Sequence, residues 1–170
     1  LEAGLLYGIP TVGTSAHSFT LLHDSEEDAF AAQVASLGPS TTILVDTYDI
    51  ATGVERAVKA ARAAGGELGA VRLDSGDLVA EAFKVRAQLD ALGATSTKIT
   101  VTNDLDEHAI AALGAAPVDS YGVGTKLVTG SGRPTAALVY KLVEREGADG
   151  TMEEVAKFSS GGKSTVGGCK

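Results

Sequence analysis

The sequence predicts an α/β protein built on parallel strands. Three observations carry this: short β-branched runs, apolar helical stripes between them, and spacings too long for hairpins. The run centres Val12, Leu44, Val71, Val101 and Tyr121 lie 32, 27, 30 and 20 residues apart, the distances of β-α units. Strands alternating with helices imply a parallel sheet with right-handed crossovers.

The first expected strand is PTVGT at 10–14. Phe30, Val34 and Leu37 then mark a helix that stops at Gly38-Pro39. A second strand is expected at 42–46, followed by a helix whose apolar side carries Ile50, Val54, Val58 and Ala61 ahead of Gly65-Gly66. The third strand is 69–73. The helix after it runs through Leu78, Ala82, Val85, Leu89 and Leu92, one apolar stripe ending at Gly93. The fourth strand is 98–102, and Asp104 to Glu107 has the spacing of a capping box opening a short helix with Ile110 and Leu113. The fifth strand is 119–123. From about residue 137 the texture changes: a strand-like run at 137–143, a turn at Gly147-Ala148-Asp149-Gly150, and an antiparallel return over 152–159. The glycine-rich end reads as loop. Residues 1–136 therefore form the main unit and 137–170 a set of C-terminal strands with a tail.

Composition narrows the function. Lys and Arg number 14 against 22 Asp and Glu, a net charge of −8. That balance argues against a nucleic-acid partner, which calls for clustered cations to displace counterions. No apolar run approaches the length of a membrane span, and a soluble cytoplasmic protein fits best. The one cysteine, Cys169, excludes an internal disulfide framework or a cysteine-based zinc site. The chain opens on Leu1, without an initiator Met or signal-peptide pattern, and is expected to be a piece of something longer.

In parallel β/α folds the chemistry gathers at the carboxyl ends of the strands. Here those ends read GTSAHS, DTYD, RLDSGD, TND and GVGTK, all polar. Each has an ordinary alternative. Asp74 or Ser75 suits the cap of the helix at Leu78, with Asp77 favourable to its dipole; Asp46 and Asp49 suit the start of the helix before it, and Asn103 or Asp104 that of the next one. His17 taken alone is an ordinary loop histidine, and Gly122-Val123-Gly124-Thr125 a tight turn. Together they suggest more. A glycine pair lets backbone N–H groups approach a phosphate, with the Thr125 hydroxyl and Lys126 completing the nest. Arg72 and Asp74 alternate around Leu73 and so face one side. Arginine suits a planar carboxylate, and aspartate suits ribose hydroxyls. The rim reads as a site for a phosphorylated sugar beside a carboxylate-bearing ligand.

The segments GTSAHS, LVDTYD, VRLDSGD, TNDLDE, YGVGTKLVTG and VYKLVE, in this order and spacing, resemble nicotinate phosphoribosyltransferase. The resemblance runs from about Leu6 to Gly168 and includes the tail KFSSGGKSTVGG. It implies a partial, irregular TIM-like β/α barrel followed by a C-terminal β-hairpin-like segment, corresponding to the C-terminal part of the family's longer chain. The family's N-terminal domain, with an aromatic that stacks on nicotinate and several arginines, has no counterpart here.

The implied reaction joins nicotinate to 5-phosphoribosyl 1-diphosphate, giving nicotinate mononucleotide and diphosphate for NAD salvage. Mg²⁺ is the implied cofactor and ATP a co-substrate, with a homodimer as the full-length assembly. By resemblance, Arg72 binds the nicotinate carboxylate, Thr14 lies beside the pyridine ring and Asp74 holds the ribose, with Ser75 and Gly76 shaping its loop. Gly122, Gly124 and Thr125 cradle the 5-phosphate, and Asn103 and Asp104 support the ribose or diphosphate side. His17 is the implied phosphohistidine that couples ATP hydrolysis to binding. The metal ligands stay open. Two alternatives stand beside this reading: a non-catalytic fragment that only associates, and a barrel enzyme acting on another phosphosugar.

Overall fold

Four of the five expected parallel strands form, and they lie side by side in chain order. They are β1 (Thr42–Leu44), β2 (Ala70–Leu73), β3 (Lys98–Val101) and β4 (Ser120–Tyr121). The computed structural model describes residues 1–130, 135–136, 138–158 and 164–168. The helices are α1 (Glu2–Tyr7), α2 (His17–Leu21), α3 (Glu26–Leu37), α4 (Ile50–Ala63), α5 (Leu78–Ala91), α6 (Glu107–Ala112) and α7 (Thr125–Thr129), with a 3₁₀ turn at Leu113–Ala115. One crossover helix follows each of β1, β2 and β3.

Register determines what each side of the sheet is for. Ile43, Val71 and Ile99 align across the sheet, as do Leu73 and Val101, and all five are buried in the core. The intervening row is Leu44, Arg72, Thr100 and Ser120. Because side chains alternate along a strand, that row faces away from the helices, and three of its four members are polar. On the covered side, α4 buries Val54, Ala57, Val58 and Ala61, and α5 buries Ala82, Val85 and Leu89. Phe30 and Val34 of α3 complete the same cluster. Gly53 lets α4 approach β1 closely, since a Cβ there would stand 2.4 Å from the Val45 carbonyl oxygen.

Four helix starts, those of α3, α4, α5 and α6, are capped by side chains. Ser25 accepts from the N–H of Asp28 at 3.1 Å, Asp49 from Thr52 at 2.9 Å, Asp77 from Ala80 at 3.1 Å and Asp106 from Ala109 at 2.9 Å. The cap of α5 is thus Asp77, which leaves Asp74 and Ser75 for the rim. The capping box expected from Asp104 to Glu107 does not form. Asn103 and Asp104 have φ of 112° and 50°, outside the extended backbone an N-cap adopts, so the helix starts two residues later.

Two expected strands are corrected. Residues 10–14 form no strand; they run as irregular chain with Val12 97% exposed. Pro10 offers no N–H and Gly13 adds backbone freedom, both poor for sheet pairing. The helix α2 begins at His17, unanticipated like α1 and α7. In the C-terminal part, residue 137 lies outside the described residues, and 138–143 are not strand although the run is apolar; Leu138 and Tyr140 are both 89% exposed. The hairpin forms further along, pairing β5 (Glu144–Glu146) with β6 (Met152–Glu154) in antiparallel register. The turn between them sets that register: Gly150 adopts φ +82° and its N–H donates to the Gly147 carbonyl at 3.0 Å. Cys169 and the stretch 159–163 of the expected tail lie outside the described residues.

Candidate functional site

Arg72 projects from β2 at the carboxyl end of the sheet and is held on three sides. Its Nη1 donates to Thr14 Oγ1 at 2.6 Å, its Nε to Thr102 Oγ1 at 2.9 Å and its Nη2 to Asp74 Oδ1 at 3.1 Å. Thr102 in turn donates to Asp74 Oδ1. Three of the five guanidinium N–H groups are therefore committed among the described residues, leaving one on each terminal nitrogen. This geometry presents a fixed, half-buried fork suited to a planar anion.

Arg72 and Thr14 line one wall of an open cleft of about 670 Å³. Asn103, Asp104 and the turn Gly122 to Thr125 line the rest. Gly122 packs against β3's end: a Cβ there would stand 2.5 Å from Thr102 Cγ2. Gly124 faces open space, with nothing within 4 Å of a Cβ. Thr125 and Lys126 open α7, and the first N–H groups of a helix have no partner within it. The cleft thus has a cationic fork at one end and a small-residue turn at the other, whose Gly122 N–H already donates to the Val101 carbonyl at 2.9 Å.

A second cluster lies behind the first. Asp46, 1% exposed at the end of β1, accepts the Asp74 N–H at 2.9 Å and the Ser75 hydroxyl through Oδ2. That pins the turn 74–76, in which Gly76 takes φ +80°. The other oxygen, Oδ1, is buried with no hydrogen bond among the described residues and stands 3.8 Å from His17 Nε2. His17, at the start of α2, bonds through Nδ1 to Thr47 Oγ1 at 3.0 Å, and its Nε2 meets Lys157 Nζ at 2.7 Å. Asp74 joins the two clusters: Oδ1 faces Arg72, while Oδ2 is 3.8 Å from His17 Nε2.

The predicted residues therefore fall into two groups. Thr14, Arg72, Asn103, Asp104, Gly122, Gly124 and Thr125 share the cleft, whereas His17, Ser75 and Gly76 lie off its lining, with Asp74 between. Asp46, Thr47, Thr102 and Lys157 complete the site without having been singled out for it. Thr102 could have been found, since it follows the same strand-end parity as Arg72 across the sheet. Lys157 opens the tail segment KFSSGGKSTVGG, which includes it in the resemblance without giving it a role. Among the described residues no group of three or more His, Cys, Asp or Glu side chains could hold a metal ion, and no helix is long and apolar enough to cross a membrane.

A parallel β/α sheet with a polar strand-end cleft, cationic fork and glycine turn defines the class: a β/α protein with a site suited to anionic ligands. No protein-family model matches the chain. Nicotinate phosphoribosyltransferase pncB1 of Mycobacterium tuberculosis is 56% identical over 96% of this chain and 38% of its own length. The Bacillus subtilis nicotinate phosphoribosyltransferase is 40% identical over 94% of this chain and 33% of its own. The crystal structure of the Porphyromonas gingivalis nicotinate phosphoribosyltransferase superposes with a TM-score of 0.77 at 21% identity, covering 97% of this chain and 46% of that one. A nicotinate-nucleotide pyrophosphorylase from Pyrococcus furiosus superposes with a TM-score of 0.59 at 29% identity, over 69% of this chain and 31% of that one. Over nearly its whole length, then, the chain is homologous to a segment of nicotinate phosphoribosyltransferases, and it spans between a third and two fifths of the length of these curated relatives.

Proposed function

We propose that this chain carries the active-site rim of a nicotinate phosphoribosyltransferase of NAD salvage. The observation that supports it most is the pairing, in one cleft, of the Arg72 fork with the Gly122 to Thr125 turn. The fork takes the nicotinate carboxylate, with Thr14 beside the pyridine ring, and the turn takes the 5-phosphate of the sugar. Asp74 holds the ribose, and Asn103 and Asp104 face the diphosphate side. The sheet, with strand order following chain order, is read as a sector of an irregular TIM-like barrel. Doubly wound sheets instead reverse their order at a switch point.

In the reaction the pyridine nitrogen's lone pair forms a bond to ribose C1 while the C1–O bond breaks and its electron pair leaves with diphosphate. Positive charge develops on the sugar, which a carboxylate wall such as Asp74 favours. Bound Mg²⁺ would supply charge neutralisation for the leaving diphosphate. Asp104, which lines the cleft, is the carboxylate that would face such an ion. His17 accepts the γ-phosphoryl group of ATP through a ring nitrogen, coupling ATP hydrolysis to substrate binding.

Arg72→Ala, in a protein of the relatives' full length, tests the assignment by titration with each ligand. Loss of a desolvated charged partner costs roughly 2–5 kcal/mol, so nicotinate affinity should fall far more than phosphoribosyl diphosphate affinity. Equal losses for both ligands would remove Arg72 as the carboxylate site.

A further inference from the structure

We propose that Lys157 is a positioning residue for His17, holding the imidazole in its Nδ1–H tautomer so that Nε2 keeps its lone pair. The inference deepens, and rests on, the reading of His17 as phosphoryl acceptor. Lys157 is 2% exposed and lies 140 residues along the chain from the ring it meets. A lysine buried to that degree is there with partners. Its segment is tied down at both faces. The Lys157 N–H donates to Thr165 Oγ1 at 2.9 Å, and the Phe158 N–H donates to the Thr47 carbonyl at 3.0 Å. Thr47 thus anchors the segment through its backbone and the imidazole through its hydroxyl.

The donor inventory fixes the tautomer. An ammonium has donors and no lone pair, so at 2.7 Å Nε2 is the acceptor. The ring proton then sits on Nδ1 and donates to Thr47 Oγ1. Two carboxylates oppose this arrangement. Asp46 Oδ1, after β1, and Asp74 Oδ2, after β2, each stand 3.8 Å from Nε2. Both would draw a proton onto Nε2 if the lysine were neutral or gone; Arg72 bears on the ring only through Asp74. In the transfer, the Nε2 lone pair forms the bond to the γ-phosphorus of ATP, the bond to the bridging oxygen breaks, and its electron pair leaves with ADP. The Nδ1 proton stays on the ring against Thr47. A phosphoryl group arriving beside two carboxylates needs a cation, and Lys157 turns from the ring nitrogen to its oxygens.

Imidazole ¹⁵N NMR on this chain at mildly alkaline pH tests the proposal without ATP or nicotinate, so its failure is separate from failure of the enzymatic reading. His17→Gln identifies the His17 signals. The expected spectrum has His17 as Nδ1–H, switched to Nε2–H in Lys157→Met and retained as Nδ1–H in Lys157→Arg. An Nε2–H ring in the unmodified chain overturns the proposal even if Lys157→Met fails to fold. An unchanged tautomer in a folded Lys157→Met overturns it as well.

Discussion

Thr102 receives the Nε–H of Arg72 at 2.9 Å and donates its own proton to Asp74, so one hydroxyl orients both members of an ion pair. Thr102→Val keeps the shape and removes the hydroxyl, leaving Arg72 and Asp74 each without one bond. Hydrogen bonds to charged groups contribute about 1.5–3 kcal/mol. The KM for nicotinate should therefore rise on the order of tenfold to a hundredfold, with that for phosphoribosyl diphosphate changed far less; an unchanged nicotinate KM would remove Thr102 from the site. At this scale the sequence exposes what a single strand end presents. Arg72 and Asp74 were legible because strand alternation puts both on one side of Leu73. Lys157 was not, because its partner His17 is brought to it only by the C-terminal segment folding over Thr47.

The glycine turn after β4 combines two local demands that separate under mutation. In Gly122→Ala the new Cβ would stand 2.5 Å from Thr102 Cγ2, and the shift it forces passes to Arg72 through Thr102. That variant should lose both thermal stability and nicotinate affinity. Gly124→Val puts its side chain into the open cleft, where it blocks approach to the backbone N–H groups. Phosphate-bearing ligands should bind much more weakly while thermal stability hardly changes; a Gly124→Val protein that unfolds without losing ligand affinity in its folded fraction would make the turn purely structural. The helices α3 to α6 were legible, since a stripe such as Ala82, Val85, Leu89 and its Gly93 stop is encoded within one segment, whereas the short α1, α2 and α7 carry no such stripe. Four of the five parallel strands were legible too, but two runs were not. The β-branched text at 10–14 and the apolar run at 138–143 depend on neighbours that no local pattern specifies, and both stay outside the sheets. The hairpin followed its turn at Gly147 to Gly150 instead.

Across the whole molecule, three aspartates, Asp49 and Asp149 exposed and Asp106 half-buried, couple stability to acid. Asp49 is held below the ordinary carboxylate value by the Thr52 hydroxyl and N–H, Asp106 by the Ala109 N–H, and Asp149 by the Thr151 hydroxyl and N–H. A pKa lowered on folding stabilises above the unfolded value, about 3.9 for aspartate, and that contribution is lost as pH falls through the lower folded value. The thermal midpoint should thus decline below about pH 4. Asp49→Asn keeps a capping side chain without its titration, and should flatten the decline; an identical slope would exclude Asp49 from it. The strand-end rim was legible at this scale because a parallel β/α sheet directs its loops to one edge. Its division into an open cleft and a buried His17 cluster was not, because that depends on which loops Asp46 and Lys157 pin. The most direct test of the central claim is product formation by a protein of the relatives' full length that contains this segment. Phosphoribosyl diphosphate would be offered with nicotinate, nicotinamide or quinolinate in parallel. Nicotinate mononucleotide should form from nicotinate, with little product from the neutral amide and loss of that preference in Arg72→Ala. No product from nicotinate, or equal turnover of nicotinate and nicotinamide, would contradict the claim.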